Sequence, residues 1–301
     1  MALRIGIDLG GTKTEITALD SETGEILLKN RKPTPKDYQG VLDVVKELVD
    51  GAEKELGMTG TVGMGIPGTV SAQTGLVKNA NATWLIGHPL DKDLAKVLNR
   101  SVRIANDADC LAVSEASDGA GKGYNIVWAV ILGTGVGSGI SAFHHIITGP
   151  NSIGGEWGHN PMPWTKDAEM ANRECYCGKN GCVETFLSGK ALAKEYFLRT
   201  GLEKTGAEIA EAAKNGEAVA DEVLSVYEER LARATSAVIN VIDPDIIVLG
   251  GGVSNIDRLY TNVPPLWKKY VFSDTVETKL AKAKFGDSSG VRGAARLWDN
   301  P

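Results

Sequence analysis

The sequence has no apolar run long enough to span a bilayer, so an integral membrane protein is not expected. It has no basic excess either. Its 32 Lys and Arg face 38 Asp and Glu, a net charge of −6, which argues against a general nucleic-acid surface. No charged n-region and apolar h-region precede the first strand-like stretch, so a cytosolic protein is expected. Low-complexity blocks and long linkers are missing. So is a Walker A motif: Gly121-Lys122 lacks the upstream glycine and the following Ser or Thr. Cysteine is scarce, with only Cys110, Cys175, Cys177 and Cys182. In a cytosolic chain, three cysteines packed between 175 and 182 suggest a metal rather than disulfides.

What is present fits a globular protein of one large or two smaller domains: 301 residues, 43% hydrophobic and 23% charged. The opening stretch runs Arg4-Ile5-Gly6-Ile7-Asp8-Leu9-Gly10-Gly11-Thr12-Lys13-Thr14-Glu15, followed by Ile16-Thr17-Ala18-Leu19. It reads as a hairpin whose turn has almost no side chains. Bare N–H groups there could cradle an anion, helped by Thr12 and Lys13, and Asp8 could hold a metal ion through water. A hairpin without a ligand would look the same. The pattern returns: Ile126–Leu132 enters Gly133-Thr134-Gly135-Val136-Gly137-Ser138-Gly139 and leaves through Ile140–Phe143. Two such units favour a duplicated fold with a nucleotide between the halves over a chance recurrence.

Other elements follow from periodicity. Apolar residues at 41, 42, 44, 45, 48, 49, 52 and 56 predict a helix from about Asp37 to Leu56. Short helices are expected over 91–98 and 108–120, a long one over 221–242, and a last one ending near Leu297-Trp298. Thr61–Gly68 reads as a buried strand entering a loop. Its glycines at 63, 65 and 68 match a dinucleotide fingerprint, but Pro67 removes an N–H where one is needed and no helical pattern follows. The strand 246–249 runs into Gly250-Gly251-Gly252, where a flat ring could approach the backbone.

Three constellations carry chemistry. Asn106-Asp107 closes the strand 101–105, at the strand end where ligands bind in open α/β sheets. Asp107 could accept the proton of an attacking alcohol, although on local sequence a helix cap is the preferred reading. Glu156-Trp157-Gly158-His159, and Glu184 further on, could face a polyhydroxylated ligand or lie in plain surface turns. Cys175, Cys177 and Cys182 together with His159 match a closed tetrahedral zinc shell, with reduced buried cysteines as the alternative. Cys110 reads as core, and His144-His145 as loop.

Taken together, these motifs resemble the ROK family of sugar kinases, and within it bacterial fructokinases and mannokinases. The matching segments are Asp8–Lys13, Gly65-Ile66-Pro67-Gly68, Asn106-Asp107, Gly133–Gly137, Glu156–His159, Cys175–Glu184 and Asp243-Pro244 before Gly250–Gly252. The resemblance implies an α/β, actin-like (ribonuclease-H-like) duplicated fold of two domains around a nucleotide cleft. Residues 1–115 with 288–301 would form the smaller domain, and 116–287 the larger one with the zinc loop. It implies ATP with Mg²⁺, the phosphates resting on Gly6, Asp8, Gly10, Gly11, Thr12 and Lys13 and on Gly133, Thr134, Gly135, Gly137 and Gly139, and the base near Gly250, Gly251 and Gly252. Asp107 becomes the catalytic base. Gly68, Asn81, Asn106, Asp107, Glu156, His159 and Glu184 would bind the sugar, His159 also ligating zinc. A homodimer is implied as well.

Asn79–Leu85 and His159–Trp164 look like fructokinase and mannokinase segments, where N-acetylglucosamine kinases carry other residues. The expected reaction is therefore phosphorylation of a hexose 6-hydroxyl, D-fructose first and D-mannose second, with glucose or another hexose as the alternative. Asp109 and His144-His145 depart from the common pattern without touching this chemistry. The family also contains sugar-responsive repressors, but their N-terminal helix-turn-helix has no room before Arg4. A silent actin-like assembly protein would have no use for Asn106-Asp107 and the sugar motif.

Overall fold

The computed structural model describes residues 2–299. In chain order the elements begin with β1 (Leu3–Leu9), β2 (Lys13–Asp20), β3 (Ile26–Pro33), α1 (Tyr38–Leu56), β4 (Gly60–Ile66), β5 (Thr69–Val70), β6 (Val77–Lys78), α2 (Leu90–Leu98), β7 (Val102–Asn106) and α3 (Asp107–Ser117). There follow β8 (Ile126–Leu132), β9 (Val136–Ala142), β10 (His145–Ile146), α4 (Glu184–Leu187), α5 (Gly189–Thr200), α6 (Gly206–Lys214) and α7 (Ala218–Ile242). The last are β11 (Ile246–Gly250), α8 (Leu259–Leu266), β12 (Lys279–Lys282) and α9 (Ser289–Arg296). Among the described residues no helix is long and apolar enough to cross a membrane.

Two five-stranded sheets repeat one plan, with orders β3-β2-β1-β4-β7 and β10-β9-β8-β11-β12. In the first, β1, β2 and β3 are antiparallel neighbours, and β4 and β7 run parallel to β1. In the second, β9 and β10 are antiparallel while β8, β11 and β12 are parallel. Each plan opens with a hairpin whose turn is rich in glycine.

The chain forms two compact units. One runs to Gly123, takes in Gly139–Gly155 and resumes at Asp287; the other is Tyr124–Ser138 with Glu156–Gly286.

In the first unit, α1 begins because the Asp37 side chain accepts from Gly40 N–H, and it ends at Gly57, whose φ of 64° closes the last turn. Its apolar stripe packs Val41, Val45, Leu48 and Val49 onto Ile5, Ile7, Ile16 and Met64 of the sheet. The opposite face of that sheet receives α9, and glycines decide how closely. A Cβ on Gly6 would lie 2.0 Å from Val291 O, and one on Gly63 would lie 1.9 Å from Ala294 O. A Cβ on Gly293 would lie 1.7 Å from Cys110 O, so α9 is also pressed against α3. Cys110 is fully buried in that packing, as a core residue.

α3 stops at Ser117, short of the expected residue 120. The Glu115 carboxylate takes the N–H of Ala120, and Asp118 is drawn to Arg292 and Arg296 of α9. His145 lies in β10 rather than in loop; the turn before it is made by Phe143 and His144, both with positive φ.

In the second unit, β8 and β11 are largely buried, and α7, packed on α5, α6 and α8, carries the buried Arg230 and Arg233. Burial works against charge there, yet hydrogen bonds from Arg233, from Lys166 N–H and from Arg230 hold the Glu169 carboxyl down to about 2. Arg230 also bonds Glu195 of α5 at 2.9 Å. This ion network lies behind the cysteine loop.

Candidate functional site

In the first unit, the turn after β1 closes through Gly10 N–H donating to Lys13 O at 2.9 Å. Thr34 buttresses it, its hydroxyl donating to Gly10 O and its N–H to Thr12 O. Gly11, Thr12 and Lys13 are exposed, and a Cβ at Gly11 would meet nothing within 4 Å. The turn therefore has an open face, as an anion cradle needs. Asp8 sits beneath it, opposite Glu15 across the hairpin. Burial first and Glu15 second push its carboxyl up to about 6, with Lys13 pulling the other way. A carboxylate so disfavoured gains from a bound cation.

Gly6 lies in mid-strand, and its lack of a side chain lets α9 cross it. Gly139 is also set by packing. A Cβ there would lie 2.5 Å from Ala108 O and 2.8 Å from the Asp109 Cα, so its smallness seats the first turn of α3.

That first turn holds Asp107. The cap that local sequence assigned to Asp107 or its neighbour falls to Asn106, whose side chain accepts from Ala108 N–H at 2.9 Å. Asn106 Nδ2 donates to Gly68 O at 3.1 Å. A Cβ on Gly68 would lie 2.8 Å from the Ala80 Cα, and Asn81 N–H donates to Pro67 O. Gly68, Asn81, Asn106 and Asp107 thus come together at the ends of β4 and β7. One oxygen of Asp107 accepts from Ala108 N–H at 2.8 Å, which orients the carboxylate.

In the second unit, Val136 is a hub. Its N–H donates to Glu184 Oε2 at 2.9 Å, and a Cβ on Gly158 would lie 2.2 Å from its carbonyl oxygen. The carboxylate approaches so closely that a Cβ on Gly135 would lie 2.6 Å from it. Gly135 is thus small for Glu184 as well as for the turn. Trp157, between Glu156 and Gly158, packs edge-on against Trp128 of β8 at 5.0 Å. Glu156 stands exposed at the start of that short helical turn.

Beside the hub, one ligand atom from each of His159, Cys175, Cys177 and Cys182 lies within 4.8 Å of the others. Cys175 Sγ is 3.5 Å from His159 Nδ1, and Cys177 Sγ is 3.6 Å from Cys182 Sγ. A tetrahedral zinc shell requires about 3.6 Å between nitrogen and sulfur and about 3.8 Å between sulfurs. The donor set and its spacing fit that ion. The backbone N–H of Lys179, foremost, lowers the Cys177 thiol from its usual range. The other imidazole nitrogen, Nε2, is 2.9 Å from the Tyr176 hydroxyl. Burial, then Glu184 and Glu156, push that hydroxyl up to about 12. The loop is anchored from behind by Arg173. Its guanidinium donates to Thr185 O and Glu195, and its carbonyl accepts from Gly181 N–H.

A cavity of ≈ 1000 Å³ in the same unit is lined by Gly133, Thr134 and Gly252 together with Lys190, Lys194 and Lys204. Gly133 O accepts from Gly189 N–H at 2.7 Å, joining the turn to the start of α5. Gly252 is open, with nothing within 4 Å of a Cβ, whereas Gly251 has φ 80° and rests on Leu132 O. Gly250 is buried at the end of β11, and Gly137 continues β9 beyond the turn. The lysines and the exposed Phe197 were not singled out from the sequence. Their one signal is the spacing of Lys190 and Lys194, one helical turn apart, which a solvated helix face shares.

The model of the ROK family matches residues 4–300 of the chain. An N-acetyl-D-glucosamine kinase of Vibrio parahaemolyticus serotype O3:K6 is 39% identical over 297 residues, covering 97% of this chain and 98% of the relative. A ROK hexokinase structure from Thermus thermophilus superposes with a TM-score of 0.85 at 26% identity, covering 97% of this chain and 96% of that one. A ROK-family glucokinase from Streptomyces griseus, solved in complex with glucose and AMPPNP, has a TM-score of 0.78 at 27% identity over 98% and 99% of the two chains. The architecture is accordingly the α/β, actin-like duplicated fold.

Proposed function

The chain belongs to the ROK family, and from that premise we propose that it is an ATP-dependent kinase acting on the 6-hydroxyl of a hexose. The observation that carries the reading is the start of α3. With Asn106 serving as the cap and tying itself to Gly68, the neighbouring Asp107 carboxylate is held at the strand end as a proton acceptor. Asp107 accepts the hydroxyl proton while the sugar oxygen bonds the γ-phosphorus. The bond from that phosphorus to the β–γ bridging oxygen breaks, and ADP leaves with its electron pair. In such loose transition states the protein's share lies mainly in placing and neutralising charge.

The reading draws on both units. In the first, the open turn at Gly10, Gly11, Thr12 and Lys13 would take phosphate, and Asp8 would hold Mg²⁺. In the second, Gly133, Thr134 and Gly252 with the three lysines of the cavity accept the nucleotide. Glu156 and Glu184 read sugar hydroxyls there. Mg²⁺ would neutralise phosphate charge. His159, Cys175, Cys177 and Cys182 would hold a structural Zn²⁺; its shell is closed, so it fixes the Glu156 and Glu184 segments and takes no part in the chemistry. The family resemblance supports a homodimer, which light scattering on a sizing column checks.

The names of the relatives support N-acetyl-D-glucosamine as the preferred hexose. The segments Asn79–Leu85 and His159–Trp164 support a second reading, fructose and then mannose. An ADP-release assay across these three sugars and glucose, with the product's phosphate position read by NMR, separates them. Highest kcat/KM for N-acetyl-D-glucosamine supports the first and highest for fructose the second. No turnover with any hexose overturns the kinase reading.

A further inference from the structure

The ≈ 1000 Å³ cavity of the second unit has two unlike ends, and one face of α5 runs between them. At the start of α5, Gly189 N–H donates to Gly133 O, so this end of the helix lies against the glycine turn. Lys190 follows. Of the three lysines in the lining, Lys194 donates to Asn172 O at 3.1 Å and Lys204 is paired with Glu217 at 2.7 Å. The Lys190 ammonium has no partner among the described residues.

Seven residues on, Phe197 also lines the cavity. Seven residues make close to two helical turns, so Phe197 shares the face of Lys190 and lies about 10 Å further along the axis. Its ring is 46% exposed and meets no other ring or cation among the described residues. The turn that carries it is nonetheless fixed. Tyr196 beside it is fully buried, and Gly201 N–H closes the helix on Phe197 O at 2.8 Å. The first turn of α6, also in the lining, is closed to an anion, because Thr205 caps it and the Glu208 carboxylate accepts from Thr205 N–H. Unpaired positive charge thus sits at the start of α5, and an uncovered aromatic face two turns later.

We propose that Phe197 stacks on the base of the nucleotide donor while Lys190 neutralises its phosphates, so that the nucleotide lies along α5. The order follows from the chemistry of the two ends. Phosphate needs the unpaired ammonium and the glycine turn, whereas a base offers a π-face that an exposed, firmly seated ring can cover. Every base has such a face, so Phe197 favours a donor that carries a base over bare polyphosphate and selects weakly among bases. The proposal deepens the kinase reading of this cavity and rests on its nucleotide.

Calorimetric titration of the full-length protein with ADP, in the presence of Mg²⁺, tests it without requiring turnover. Phe197→Ala should raise the Kd for ADP about 5- to 100-fold, while the Kd for inorganic tripolyphosphate, which has no base, stays at the wild-type value. Phe197→Tyr should bind ADP as the wild type does. Lys190→Ala should weaken ADP and tripolyphosphate by a similar factor, and that loss should shrink as salt is raised. An unchanged ADP Kd in Phe197→Ala overturns the proposal. So does an equal rise for ADP and tripolyphosphate, which would mark a general disturbance of the cavity. If the wild type phosphorylates no hexose but binds ADP with these variant effects, the kinase reading fails and Phe197 keeps its role. A wild type that binds no ADP overturns both.

Discussion

Asp8 is a buried carboxyl whose hold on its proton the fold strengthens. Its pKa is raised to about 6, first by burial and then by Glu15. The folded protein therefore keeps that proton up to about pH 6, while the unfolded chain releases it from about pH 4. Between those values the folded state binds more protons, so this group's contribution to stability declines as pH rises and is lost above about pH 6. Asp8→Asn should stabilise the cation-free protein at pH 7 by about 1–3 kcal/mol. The gain should vanish by about pH 4. Urea unfolding at a series of pH values without divalent cations measures this, and a variant less stable than wild type at pH 7 would contradict it. Glycines separate by neighbour in the same way. Gly6→Ala drives a methyl into the α9 backbone and should cost about 3 kcal/mol or more. Gly11→Ala meets open space, should change stability by less than about 1 kcal/mol, and should raise the KM for ATP. Equal thermal shifts in the two would undo that distinction.

The proposed zinc site makes the cysteine loop the element on which the Glu156 and Glu184 segments would depend. Removing its metal with a strong chelator should lower Tm by about 5–15 °C, since about 3–5 kcal/mol of linked binding energy shifts Tm by a few degrees per kcal/mol. Elemental analysis of the purified protein should find zinc; none would defeat the assignment. Behind the loop, Arg173 spans Thr185, Glu195 and the Gly181 N–H. Arg173→Ala leaves Glu195 with less compensation and should cost about 2–4 kcal/mol by denaturant unfolding. It should also raise the hexose KM through the start of α4, where Glu184 sits. A loss of stability with an unchanged hexose KM would show that the loop and the carboxylates are uncoupled.

Across the whole chain, the elements were legible where periodicity was strong. α1 was expected from Asp37 and starts at Tyr38, with Asp37 as its cap. Both glycine hairpins and the gathering of His159, Cys175, Cys177 and Cys182 were readable because each is local in sequence. What escaped was long-range. Gly6 and Gly139 look like phosphate-binding glycines because a helix backbone and a phosphate both demand the absence of a Cβ. The end of α3 depends on Arg292 and Arg296, far along the chain. Lys190, Lys194 and Lys204 line a cavity that only folding assembles.

The central claim is that Asp107 accepts the hydroxyl proton in an ATP-dependent hexose kinase. It is tested most directly by kcat for Asp107→Asn against wild type, each saturated with ATP and the best hexose. Loss of a positioned base should lower kcat by about 10²- to 10⁴-fold, with circular dichroism and hexose binding close to wild type. Turnover within a few-fold of wild type would contradict the account.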